Sequence, residues 1–465
     1  MKNNIFLSIV TFILLLSSCY KDETVVDTRV ISNIEIDLPI DDFSVVELEK
    51  NDQYILDPNI KVSNGTDELK YEWEINQVIV SREKKYVYEA KSLGLYDVRL
   101  KVSNEDGSTF KRFKINVNSP YEEGLIVLSE KIDGEGSFSF IRRYPNQMLS
   151  QTPLATIHTN VFEINNPEFN FGIKPTDVGQ TPGMIYIASE EGHVWGLDPK
   201  TFEVETKISE NNLPDFKPVR MLIPNNTSRN AIAISRSGQI YDLATFENFV
   251  FAAPALLKNV VVDSKAQLVL GGWLNNYFFW DANNSRFMSY NGYYLDTTED
   301  YFNGKDLVNF CVNANTIYLI LKDKVNPAVL TKTVLTDEFI NYGTYSSAIT
   351  KVLEAKSTTL SKDAPSVLVD KYVKYMYAYG NSVYQWFYTT DNLPEAPLFT
   401  INIPGVITAL EKDPESNELY VAVYNSAASS SKGSVLVYDI QTGALKASFL
   451  GISEKPVKLF YKTKV

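Results

Sequence analysis

Side chains able to do covalent chemistry are scarce in this 465-residue sequence, and those present are scattered. The two histidines, His158 and His193, are too few for a multi-histidine zinc centre. His193 follows Glu191-Gly192, a turn sequence in which its ring is expected to hydrogen-bond its own sheet rather than act as a base. There is no nucleophile elbow, P-loop or H-E-x-x-H segment, so neither a cofactor nor a metal is indicated. Cys311, in Leu307-Val308-Asn309-Phe310-Cys311-Val312, reads as a small buried hydrophobe. Carboxylates are plentiful. A glycosidase needs two of them roughly 5 to 9 Å apart, and Glu190, Glu191, Asp263, Asp281, Asp296 and Asp306 are all available. Asp198, Asp242, Asp281 and Asp439, however, follow aromatic strand ends, where an aspartate accepts hydrogen bonds from the next turn. Non-catalytic chemistry is therefore the expectation.

The stretch from Phe287 to Gly304 is richer. It mixes aromatics, amides and acids without strand alternation, and it follows Trp273 and the run Tyr277-Phe278-Phe279-Trp280. Aromatic faces stack on the apolar face of a sugar ring while Asn and Asp bond its hydroxyls. Trp273, Tyr290, Asn291, Tyr293, Tyr294, Asp296 and Tyr301 are accordingly the candidate ligand-binding residues. The competing use of such rings is packing between sheets, which the clean alternation of Tyr375, Tyr377, Tyr379, Tyr384 and Trp386 expects.

The elements that must position these residues are strands. Period-2 alternation rich in Val, Ile, Tyr and Phe runs through almost every readable segment, which predicts an all-β protein. In Leu95 to Val102, residues Tyr96, Val98, Leu100 and Val102 point one way and Asp97, Arg99 and Lys101 the other. Asn104-Glu105-Asp106-Gly107 supplies a turn, and Phe110 to Val117 reads as the returning strand. Upstream, Tyr71, Trp73 and Ile75 share a face, with Trp73 at the centre of a small sandwich core. From Tyr121 onward a looser unit recurs: an apolar strand, a short turn, then a strand often ending in an aromatic and Asp. Examples are Met184 to Ala188 with Gly192 to Asp198, and Leu419 to Val423 with Gly433 to Asp439. Spacing of roughly 40 to 60 residues is that of propeller blades, and about seven fit the length. Closure requires a strand from one end to complete a blade begun at the other, and Val457 to Tyr461 beside Leu125 to Leu128 is the expected pair. Two stacked sandwiches are the competing arrangement.

The N-terminal segment carries a different signal. Lys2, the apolar run Ile5 to Leu16, and Leu16-Ser17-Ser18-Cys19 describe a lipoprotein signal peptide whose cysteine becomes the lipidated N-terminus; the run is too short to span a bilayer. Tyr20-Lys21-Asp22-Glu23 resembles an acidic export signal to the outer face of the outer membrane. The expected organisation is a signal peptide over 1–18, a tether over 19–29, a PKD/Ig-like β-sandwich over 30–118 and a β-propeller over 121–465. A formal charge of −13 disfavours nucleic acid and anionic lipid headgroups as partners, leaving the acyl anchor to hold the chain at the membrane.

Gly94-Leu95-Tyr96-Asp97-Val98-Arg99-Leu100-Lys101-Val102-Ser103-Asn104, with Trp73 and Gly107, resembles the G-x-Y-x-V-x-L-x-V-x-N run of PKD domains, although Trp73-Glu74-Ile75-Asn76 stands where many carry W-D-F-G-D-G. The order of lipobox, PKD-like domain and propeller-like remainder resembles the PKD-like family of bacterial surface lipoproteins. That resemblance implies an accessory component of outer-membrane nutrient uptake and brings no catalytic residues. The expectation is a lipid-anchored outer-membrane protein facing the exterior. It would recognise a polysaccharide or oligosaccharide for an outer-membrane transporter or partner lipoprotein. A protein-interaction scaffold and a carboxylate-pair glycosidase are the alternatives.

Overall fold

The computed structural model describes residues 30–64, 68–209, 213, 215–224, 231–245, 247–270, 276–313, 316–335, 349–353 and 359–465. Cys19 and the rest of the first 29 residues, and Trp273, lie outside them. Two compact units divide between Asn118 and Ser119.

The first unit is a β-sandwich. A five-stranded sheet orders Val45–Glu49, Ser108–Asn118, Gly94–Ser103, Lys70–Ile75 and Val78–Ser81, with Val45–Glu49 parallel to its neighbour and the other pairs antiparallel. Two ribbons, Asn33–Asp37 with Asn59–Ser63 and Gln53–Leu56 with Tyr86–Glu89, accompany it. The alternation read from sequence appears as burial: Val98, Leu100 and Val102 are in the core while Asp97 is exposed. Trp73 is fully buried, and its indole N–H donates to Glu83 O at 3.1 Å, which relieves the one polar atom of an otherwise apolar anchor. On the opposite face Glu74 meets Arg99 across the register at 2.6 Å, and Glu72 meets Lys101 at 2.9 Å. Asn104 Oδ1 accepts from the Asp106 and Gly107 amides and closes the hairpin.

The second unit is a β-propeller of seven blades among the described residues. Blade 1 comprises Gly124–Glu130 and Gly136–Arg142, completed by the C-terminal Lys455–Lys462. Blades 2 to 7 are four-stranded and begin with the inner strands Pro175–Thr181, Pro218–Leu222, Gln267–Val269, Lys305–Asn313, Ser366–Val369 and Val406–Lys412. Ring closure follows the expected pairing: Leu125 opposes Tyr461 and Val127 opposes Leu459.

The ring is a consequence of middle strands that are apolar on both faces. In Met184–Ser189, Ile185 and Ile187 pack with Ile126, Leu128 and Phe140 of blade 1, while Tyr186 and Ala188 pack with Ala231, Ala233 and Tyr241 of blade 3. The same division repeats at every interface. Phe279 faces blade 3 and Phe278 faces blade 5; Tyr420 and Ala422 meet Leu125 and Val127, where blade 7 returns to blade 1. A blade alone would leave one of these faces in water, so each is stable only between neighbours. Four aspartates bear on the turn expectation. Asp198 accepts from Lys200 N and Thr201 N, Asp281 from Asn283 N and Asn284 N, and Asp439 from Gln441 N and Thr442 N, all within 3.2 Å. Asp242 differs: it sits inside the strand Ile240–Ala244, paired opposite Ile232. Cys311 is buried in the interface of blades 5 and 6, and burial pushes its thiol up, out of reach of thiolate chemistry.

Candidate functional site

The tyrosine-rich stretch does not assemble one surface. Tyr290 ends the third strand of blade 4, is only 6% exposed, and packs with Tyr277, Phe279 and Met288 between blades 3 and 4. It is a core residue because the strand's alternation carries it inward, against the expectation that it contacts ligand. Asn291 accepts the Tyr293 and Tyr294 amides through Oδ1 at 3.0 and 2.9 Å, shaping the turn. Tyr293 and Tyr294 are exposed at that turn. Tyr301 follows the fourth strand, Leu295–Thr297, and leans edge-on against Phe302. It therefore stands at the other end of that strand from Tyr293 and Tyr294, about 10 Å along the backbone for three residues. Asp296, within the strand, is partly buried, and burial raises its carboxyl. His193, the first residue of its strand, is buried, with Nε2 3.0 Å from Phe171 O and its ring edge-on to Trp195. Burial lowers its pKa, so it is a packed structural residue, as its turn context implied. Among the described residues, no group of three or more His, Cys, Asp or Glu is placed to hold a metal.

The polar convergence lies instead on the propeller axis. A cavity of about 350 Å³ is lined by residues at or near the start of all the inner strands, including Asp177, Arg220, Lys265, Asn309, Thr408 and Lys458. Local backbone irregularity aims them there. Pairing of the inner strand to its neighbour slips between Pro175 and Asp177, Pro218 and Arg220, Leu307 and Asn309, Ile407 and Ala409, and again between Pro456 and Lys458. A β-bulge of this kind leaves one residue unpaired and redirects the next side chain. Asp177, Arg220, Asn309 and Lys458 each directly follow the unpaired residue.

Several polar side chains on these strands are used to join blades. Gln180 donates to Thr463 O and accepts from Thr463 N, both at 3.0 Å; Gln267 donates to Phe310 O and accepts from Val312 N, again both at 3.0 Å. Each amide thus imitates a strand neighbour across a gap that the backbones do not close. Asn309 reaches the Tyr375 hydroxyl of the next blade.

The charged groups have a different arrangement. Asp177 is 2% exposed and lies 3.0 Å from the Lys458 ammonium and 3.5 Å from the Arg220 guanidinium, and its Oδ2 accepts from Met221 N at 2.8 Å. Burial alone would raise its pKa, but the two cations and the amide outweigh it and hold the carboxyl below its ordinary range. Glu411, on the blade 7 inner strand, is pushed up by burial despite Lys458, Lys412 and Arg220. Lys265 is lowered by burial and by Arg220 and Lys458, with Asp263 and Asp363 opposing. Asp263 itself pairs with Lys362 and accepts from Lys265 N.

None of these channel residues except Asp263 was singled out by composition or motif reasoning. One repeated signal marks three of them: Lys174-Pro175-Thr176-Asp177, Lys217-Pro218-Val219-Arg220 and Lys455-Pro456-Val457-Lys458. Proline tolerates the first position of a strand, so K-P-x followed by a charged residue flags an inner strand and its channel-facing group.

Comparison with known proteins agrees with this architecture. Residues 34–104 match the family model of a PKD-like domain. The chain is similar in structure to a quinoprotein alcohol dehydrogenase-like protein from Bacteroides thetaiotaomicron, with a TM-score of 0.50 at 14% identity over 92% of this chain and 99% of that one, a likeness of fold alone. Weaker likenesses are to the computationally designed Ika8 protein (TM-score 0.41, 11% identity, 73% of this chain and 91% of that one) and to the dihydro-heme d1 dehydrogenase NirN (TM-score 0.41, 12% identity, 71% and 63%). Among curated proteins, none matches the sequence.

Proposed function

From a PKD-like domain followed by a seven-bladed propeller, we propose a non-catalytic surface receptor, anchored through lipid on Cys19 to the outer membrane and facing outward. Its axial pocket recognises an extracellular glycan or oligosaccharide for an uptake system. The observation that carries this reading is the pocket: hydrogen-bonding and charged side chains from separate blades converge on one cavity of about 350 Å³, within the usual small-molecule range of roughly 300 to 1,000 Å³. Affinity electrophoresis against a polysaccharide panel tests it, with Tyr293→Ala and Tyr294→Ala beside wild type. Retardation by one glycan, unchanged in both tyrosine variants, supports the axial pocket. Loss of retardation in those variants returns the site to the blade 4 turn, and recovery of a stoichiometric membrane partner with no glycan retardation favours a scaffold. The anchor is tested by Cys19→Ala, expected to release the protein from membranes.

A second reading rests on two buried carboxylates that interact with the same cations, Lys458 and Arg220, yet shift in opposite directions, Glu411 raised by burial and Asp177 lowered, as an acid and its partner carboxylate require. Release of sugar from a labelled glycan, abolished by Glu411→Gln, would convert the receptor into a glycosidase.

A further inference from the structure

The charges in the axial pocket are unequal, and the inequality points to a ligand class. Three cations, Arg220, Lys265 and Lys458, line the cavity, each brought by a different blade. One buried carboxylate, Asp177, serves two of them. Lys265 forms no side-chain hydrogen bond or ion pair with the described residues, although it is partly buried and lies near the other two cations. Its nearest acid on the chain, Asp263, is engaged by Lys362 and by the Lys265 amide. Among the described residues, the one other acid in the cavity lining, Asp363, is exposed.

Two further observations agree. Thr408 Oγ1 lines the same cavity and is buried without a hydrogen-bond partner among the described residues, which leaves a hydroxyl donor for an acceptor. The surroundings are also unusual for this chain: its formal charge is −13, so a concentration of cations on the axis opposes the general bias. A cationic cleft with protein walls focuses field lines and gathers anions even in an acidic protein. The Lys265 ammonium is thus held near like charges, opposed by Asp263 and Asp363, neither of which forms an ion pair with it.

Resting on the receptor reading above, we propose that the axial pocket selects saccharides bearing an oxyanion, a carboxylate or a sulfate. Lys265 is the principal charge partner, Arg220 and Lys458 are flanking donors, and Thr408 is a hydroxyl contact. Neutral sugars of the same size lack the group that would satisfy Lys265, and bind more weakly.

Isothermal titration calorimetry on the full chain separates the two levels of this reading. The probes are a galacturonic acid disaccharide, a 6-sulfated galactose disaccharide, the neutral galactose disaccharide and sodium sulfate. At least one charged disaccharide is expected to bind about tenfold or more tightly than the neutral one, with affinity falling as salt rises. The preference between the two charged sugars assigns carboxylate or sulfate. Lys265→Met is expected to abolish that advantage, while Lys265→Arg retains most of it. Circular dichroism and the unfolding midpoint check that each variant folds; if Lys265→Met fails to fold, Lys265→Gln takes its place, and the salt dependence of wild type is read independently of either. Equal binding of neutral and charged disaccharides, or a charged advantage untouched by Lys265→Met, overturns the oxyanion inference while the glycan reading stands. Binding of sulfate with no disaccharide bound overturns the glycan reading and leaves an anion site. No heat with any probe overturns both.

Discussion

Lys462 reports on ring closure through its proton. It ends the closing strand Lys455–Lys462, is 0% exposed, and donates its ammonium to Glu122 O at 2.5 Å, tying the C-terminal strand to the segment that starts blade 1. Burial draws its pKa down to about 8, opposed by Glu122, Glu123 and Asp198 and assisted by Lys200. In the unfolded chain the amine returns to an ordinary value near 10.5. Between about pH 8 and 10.5 the unfolded chain therefore binds more protons than the folded one, so stability rises with pH across that window. Below about pH 8 both states carry the proton and the whole desolvation cost is present. The interval, at roughly 1.4 kcal/mol per pK unit, amounts to about 3 kcal/mol. Lys462→Met keeps the length of the side chain and removes the titration. Urea unfolding of both proteins, read by tryptophan fluorescence at half-unit steps from pH 7 to 10.5, is expected to show wild type gaining on the variant by about 3 kcal/mol over that range, since all other titrations cancel in the difference. Parallel stability curves would refute the reasoning, because a closing strand that frays in solution leaves Lys462 hydrated and its proton unperturbed.

Tyr290→Ala is expected to destabilise the propeller by about 3 kcal/mol, as a buried aromatic truncation, whereas Tyr294→Ala changes thermal unfolding by no more than about 0.5 kcal/mol. Asp177→Asn leaves Arg220 and Lys458 facing each other without their buried counter-charge and is expected to cost about 3 kcal/mol at neutral pH by urea unfolding. Because the folded carboxyl is held below its ordinary pKa, that contribution is present above the unfolded value and is lost only as pH falls through the folded one, so the gap between wild type and variant closes in strong acid. Cys311 should resist an aromatic disulfide reagent at pH 8 in the native protein and react at once in guanidinium. Trp73→Ala should remove about 3 to 5 kcal/mol from the PKD-like unit, visible by calorimetry as a shift of one transition with the propeller transition in place.

The PKD-like unit was legible because its information is local. Tyr96 to Val102 alternates with period two, Asn104 and Gly107 carry their own turn chemistry, and Trp73 is the one tryptophan between residues 30 and 118. The propeller repeat was legible for a related reason: every middle strand needs two apolar faces, so Ile185 to Ala188 and Leu419 to Val423 look alike without sharing residues. The candidate site was not. Tyrosine serves equally as an interblade packer and as an exposed ring, and the composition around Tyr290 is the same for both uses. Burial and the direction of chain travel separate Tyr290, Tyr294 and Tyr301, and neither is written in residue type. Arg220 and Lys458 are far apart in sequence and unremarkable singly; a bulge turns each toward the axis.

Residue order alone determined the all-β character, the two kinds of module and the end-to-end pairing of Val457 to Tyr461 with Leu125 to Leu128, because alternation and turn chemistry act between near neighbours and an open edge must be satisfied by some strand. Which polar groups face one another was decided only by the closed ring. Convergence on an axis depends on the bulges and on the rotation between blades, and the charge of the pocket is the sum over strands that meet nowhere except in the folded molecule.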